Sequence, residues 1–131
     1  MIGVDTNVLL RHLLQDDPRQ SPVASRFFAR RGPDDPAYVS TAVLLELVWT
    51  LRRSYGVPQA GVSRILLSLT RSPDIVLQDP LATRQALRDS EDEKADLADA
   101  IIAHAAIDAG CDGIVTFDQR AQRLPGMLPV G

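Results

Sequence analysis

Apolar and polar positions along the chain follow two rhythms, short apolar runs and longer stretches striped at the helical period. Met1 to Val4 is an apolar run that predicts a strand, and from about Asn7 to Leu14 the residues Leu9, Leu10, Leu13 and Leu14 predict a helix. QDDPRQS breaks it, a second helix is expected from about Ser21 to Arg31, and PDDP reads as a loop with two proline-restricted joints. Tyr38 and Val39 form a second strand. Ser40 and Thr41 suit the N-cap of a long helix through Arg53, closed by Gly56 and Pro58. Pro58 also fits the first turn of the next helix, which carries Val62, Ile65, Leu66 and Leu69 through about Thr70. DIVLQD reads as a third strand, LATRQALRDSED as a helix dissolving into an acidic loop, and Ala95 to Ala109 as a helix capped by Gly110. GIVTFD is a fourth strand, AQRL a short helical turn and MLPV an edge strand.

Strands separated by helical stretches require crossovers, which predicts an α/β sandwich with a mostly parallel central sheet flanked by helices. At 131 residues the expectation is one domain over 1–131. No segment approaches the ~18 uninterrupted apolar residues of a membrane span. With no signal-like segment before the first strand either, a cytoplasmic protein is expected. The lone Cys111 has no internal disulfide partner.

The net charge of −3 excludes a uniformly basic nucleic-acid-binding surface. Thirteen of the fourteen cations are arginine, clustered as Arg26, Arg30 and Arg31 and as Arg52 and Arg53. Most read as solvated helix faces.

The carboxylates change the picture. In parallel α/β folds ligands bind beyond the C-terminal strand ends, where Asp5 and Asp118 both fall. Either acid alone also suits a helix N-cap. Glu46 lies in TAVLLELVWTL, apolar on nearly every face from Ala42 to Leu51, which predicts a buried helix whose carboxylate needs a cation or an arginine such as Arg53 or Arg11. Asp96 and Asp99 share a helix face and repel each other unless a cation lies between them; near a helix N-terminus the macrodipole favours each by ~0.3–1 kcal/mol. His104 reads as a packed or surface residue. All-oxygen donors Asp5, Glu46, Asp96, Asp99 and Asp118 suit Mg2+ or Mn2+ rather than zinc.

With VDTN at the start, a glutamate in an apolar helix after VS, then ADLADAIIAHAA and GCDGIVTFD, the chain resembles the PIN-domain ribonucleases over nearly its whole length, most closely the VapC-type toxins of toxin-antitoxin pairs. The resemblance implies a metal-dependent endoribonuclease with Asp5, Glu46, Asp99 and Asp118 as catalytic, metal-holding acids and Asp96 as an accessory acid. In it Asn7 would orient a carboxylate, Thr116 would bind the attacking water or a phosphate, and Arg11 would contact phosphate. It further implies Mg2+ or Mn2+ as cofactor, an RNA substrate (tRNA, rRNA or mRNA), a homodimer and a VapB-type antitoxin, with exposed parts of Leu44, Leu47 or Leu51 offering a groove. The chain departs from the family in having Gln119 and Arg120 where a further acid often follows the last strand, which weakens or removes a second metal.

An aspartyl-nucleophile phosphatase would want an acid where Asn7 stands, and a receiver domain would need a lysine near its end, whereas the only lysine is Lys94. An RNA-processing nuclease without antitoxin and a catalytically silent RNA- or protein-binding module stay open.

Overall fold

The computed structural model describes residues 1–91 and 95–131; Asp92 and Glu93 of the expected acidic loop, and Lys94, lie outside the described residues. The elements run β1 (Ile2–Gly3), α1 (Thr6–Leu14), α2 (Gln20–Ala29), β2 (Ala37–Val39), α3 (Thr41–Arg53), α4 (Gln59–Arg71), β3 (Ile75–Leu77), α5 (Pro80–Asp89), α6 (Leu97–Asp108), β4 (Ile114–Thr116), a 3-10 turn (Ala121–Arg123) and β5 (Met127–Pro129). This is the α/β order expected from the pattern, with parallel strands flanked by helices.

β1, β3, β4 and β5 are shorter than the runs suggested, whereas β2 takes in Ala37 beside the expected Tyr38 and Val39, and polar side chains near the strand ends serve as caps. Asp5 closes β1 by accepting from Thr6 N at 2.8 Å, and Ser40 Oγ accepts from Val43 N at 3.2 Å to start α3. The C-terminal cap of α1 is Gln15, at φ 52°.

The sheet is formed in two pieces. In the first, β1, β2 and β3 pair in parallel, with Ile2 opposite Ala37 and Ala37 opposite Ile75. In the second, β4 pairs in parallel with β5, Ile114 opposite Met127. Among the described residues no ladder joins β4 to β1, so the two strand ends carrying Asp5 and Asp118 do not belong to one continuous edge. Close backbone approach holds the smaller ladder against α6: a Cβ on Gly126, at φ +84°, would stand 2.9 Å from Ile107 Cδ1.

One apolar core links the helices to the larger sheet, with Leu9, Val39, Leu47, Leu51, Leu66 and Ile101 almost completely enclosed. α3 departs from expectation here. Leu44, Leu47, Val48 and Leu51 make a buried i, i+3, i+4, i+7 stripe, while Ala42, Glu46, Trp49 and Arg53 make an exposed one. Apolar Ala42 and Trp49 on the solvent side hid this amphipathicity. The leucines expected to offer a groove are 1%, 0% and 0% exposed, so they offer none; Trp49, at 55%, is the apolar side chain presented to solvent.

Candidate active site

Every predicted acid has a definite local setting. Asp5, exposed, is the N-cap of α1. Just after it, Thr6 Oγ1 is buried without a hydrogen-bond partner among the described residues, an orphan of the kind a bound water satisfies. Glu46 is exposed and, among the described residues, joins no ion pair. Burial therefore forces no cation onto Glu46, contrary to expectation, since a solvated carboxylate needs no partner. Its proposed arginine partners are engaged elsewhere. Arg53 lies over the Trp49 ring at 5.6 Å. Arg11 donates through Nη1 to both oxygens of Asp16 at 3.1 and 3.2 Å and through Nε to Gln20 Oε1 at 2.9 Å. Hydrogen bonds to the Tyr55 hydroxyl and to Asp16 raise the pKa of Arg11 further above its ordinary value.

Asp96 is not inside the helix but caps it, its Oδ1 accepting from Asp99 N at 3.1 Å. Asp99 thus sits in the first turn of α6, one turn beyond a second carboxylate. Asp118 Oδ1 accepts from Arg120 N at 2.9 Å and Ala121 N at 3.2 Å, which starts the 3-10 turn, while Asp118 N donates to Thr116 Oγ1 at 3.0 Å. Thr116 therefore sets the backbone that aims Asp118.

Three of the acids act on one another. Partial burial, then the negative charges of Asp96 and Asp118, hold the Asp99 carboxyl above the usual carboxylate range, and the nearby Arg120 guanidinium opposes them. A cation at this point would relieve the crowding of like charge, and the donors are the hard oxygens Mg2+ or Mn2+ prefer. The donor chemistry and charge of Asp96, Asp99 and Asp118 thus fit such an ion. Among the described residues, however, no three acid, histidine or cysteine side chains converge closely enough to hold one, so the five-acid cluster read from the sequence is not assembled in this arrangement. Asn7, exposed beside Arg11, lines a different cleft of about 810 Å³ between α1 and α2, floored by Val8, Val23, Ala24 and Phe27. His104 bonds Asp89 at 2.6 Å, a structural pairing of α6 with α5.

Two residues that position the acids escaped the sequence reading. Gln59, at the start of α4, donates through Nε2 to Ala95 O at 3.0 Å and accepts at Oε1 from Leu97 N at 3.1 Å, gripping the backbone on both sides of Asp96. Arg52 at the end of α3 reaches Gln59 Oε1 at 3.1 Å and Asp96 Oδ2 at 3.4 Å. Both contacts span 36 or more positions, beyond any local motif.

An N-terminal strand closed by an acid, a helix opening on two more and a final ladder followed by a fourth set the stage for comparison. The chain belongs to the PIN-domain family, whose model matches residues 2–127. Among solved structures it is similar to Mycobacterium tuberculosis VapC20, described as a toxin that cleaves the sarcin-ricin loop, at 23% identity over 94% of each chain with a TM-score of 0.45. No curated protein sequence matches the chain significantly.

Proposed function

We propose that this PIN domain, a single unit over 1–131, is a Mg2+- or Mn2+-dependent endoribonuclease and the toxin of a toxin-antitoxin pair. The observation that carries the reading is Asp99 crowded by Asp96 and Asp118 at the opening of α6. Asp99 and Asp118 would hold the ion with Asp96 as accessory, and Asp5 and Glu46 would complete the set. When bound, such an ion supplies positive charge for the phosphodiester oxygens and lowers the pKa of a water. The protein supplies orientation. Thr116 sets Asp118, Gln59 and Arg52 set Asp96 and the first turn of α6, and Arg120, near enough to Asp99 to act on its charge, would add positive charge for an incoming phosphate.

A homodimer in the cytoplasm is the proposed working form. The cleft beside Asn7 and Arg11, apolar below and charged at its rim, is the proposed seat of an antitoxin segment. Purified protein is to be incubated with total RNA and Mg2+ or Mn2+, alongside EDTA and the Asp99→Asn and Asp5→Asn variants, and product ends mapped. Cuts at a few sites bearing 5′-phosphates, absent from all three controls, are expected. Equal cutting by wild type and Asp99→Asn would return the acids to structural roles and the chain to a binding module.

A further inference from the structure

Away from the acids, α4 and α5 enclose a second cleft, of about 430 Å³, with an unusual charge. Arg64 and Arg71 stand on one wall and Arg84 and Arg88 on the other, against a single acid among the described residues, Glu91. Among the described residues a local excess of three positive charges thus sits on a molecule whose net charge is −3. All four arginines are exposed, and among the described residues none is held in an ion pair. Like charges gathered on facing walls repel one another, and an anionic ligand reduces that penalty.

Spacing decides what kind of anion. Arg64 and Arg71 are two helical turns apart, about 10 Å, and Arg84 and Arg88 one turn, about 6 Å. The arginine positions are therefore strung along both walls rather than gathered at one point, which suits a row of phosphates. Between them the half-exposed Leu67 offers apolar surface to a base or ribose.

The cleft also connects to the acids. The first turn of α4 carries Gln59, which grips the backbone around Asp96, and the next turns of the same helix carry Arg64 and Arg71. From Gln59 to Arg71 the helix covers about 18 Å. We propose that this arginine cleft is an RNA exosite, binding the phosphodiester backbone of single-stranded RNA several nucleotides from the bond positioned at Asp99 and Asp118. The assignment rests on the endoribonuclease reading for the identity of the polymer.

The test is binding of a fluorescent 30-nucleotide single-stranded RNA in EDTA, with affinity followed against salt for the wild type, Arg84→Gln/Arg88→Gln and Arg84→Lys/Arg88→Lys. Each phosphate contact contributes about 0.7 to the slope of log affinity against log salt for single strands, so the glutamine variant should be shallower by about 1.4. Its affinity should also fall by about tenfold, while the lysine variant keeps the slope because charge is retained. Inorganic phosphate at matched ionic strength should not compete. An unchanged slope in a glutamine variant with a normal melting curve would overturn the exosite, and so would no RNA binding by the wild type. Competition by inorganic phosphate would assign the cleft to a single phosphate group instead. Cleavage with Mg2+ is scored separately: if the wild type binds through these arginines yet cuts nothing, the nuclease reading fails and the cleft stands.

Discussion

Replacing Gln59 by alanine removes both side-chain bonds that hold the segment before α6, one to Ala95 O and one from Leu97 N, and takes away an acceptor of Arg52. Leu97 N is among the first amides of the helix, which have no partner within it, and Ala95 is buried, so neither group is freely compensated by water. Two such bonds at about 0.5–1.5 kcal/mol each give a loss of about 1–3 kcal/mol. At about 2.1 cal/mol/K per residue, a chain of 131 residues loses about 4–11 °C of Tm for that change. Because the same segment sets Asp96 and Asp99, metal-dependent cleavage should fall by about ten- to a hundredfold beyond any unfolding at the assay temperature. Gln59→Glu is the sharper control. It keeps the acceptor for Leu97 N but sets a carboxylate against Ala95 O and near Asp96, so it should be destabilised at neutral pH and recover in part below about pH 4, where glutamate protonates. Differential scanning calorimetry across pH, with single-turnover cleavage, reads both effects. A Gln59→Ala variant that melts within about 1.5 °C of wild type and cuts at the wild-type rate would refute the clamp.

Three further outcomes follow from the same geometry. Because Asp99 is held above its unfolded pKa, the metal-free fold is most favoured with Asp99 protonated and loses that contribution as pH rises through the raised folded value. Asp99→Asn should therefore melt higher than wild type at pH 7 in EDTA, by less than about 1 kcal/mol given solvent screening, while losing cleavage; a lower Tm would contradict the repulsion. His12, stacked on Phe28 at 4.5 Å, has its pKa lowered by desolvation, so stability should fall as pH drops through about 6.5 toward the folded value, and His12→Phe should flatten that part of the Tm-against-pH curve. Gly126→Ala forces a side chain into φ +84° and to within 2.9 Å of Ile107, which should cost about 1–3 kcal/mol by urea denaturation, and a neutral result would mean that the β5 entrance relaxes freely.

The order of elements was legible because it rests on local signals. Ser40 caps α3, Gly110 at φ +96° follows α6, and the apolar periods of α1 and α4 match their buried faces. Positions within helices were less legible where composition misled. Trp49 and Ala42 look like core residues but face solvent, so Glu46 was expected in a buried setting it does not have. The individual acids stand out in the sequence, but how near they come to one another does not. Whether Asp5 meets Asp118 depends on pairing between strands more than a hundred residues apart, and β4 takes β5 as its partner. The arginine cleft was invisible for a related reason: Arg64, Arg71, Arg84 and Arg88 are scattered along the chain and become neighbours only when α4 and α5 pack.

The division of the strands into two ladders bears on the timescale of the site. Amide protons of β4 and β5 are protected by each other, with Ile114 N bonded to Gly126 O at 2.7 Å, and their release breaks no hydrogen bond in the β1–β2–β3 ladder. Hydrogen exchange should therefore divide the molecule into two cooperative units, with residues 114–116 and 127–129 opening at a lower free energy than residues 37–39 and 75–77. Asp118 rides on the looser unit, whereas Asp96 and Asp99 are fastened through Gln59 to α4. If exchange divides in this way, the distance between the two halves of the acid set would be set by the breathing of one short strand pair.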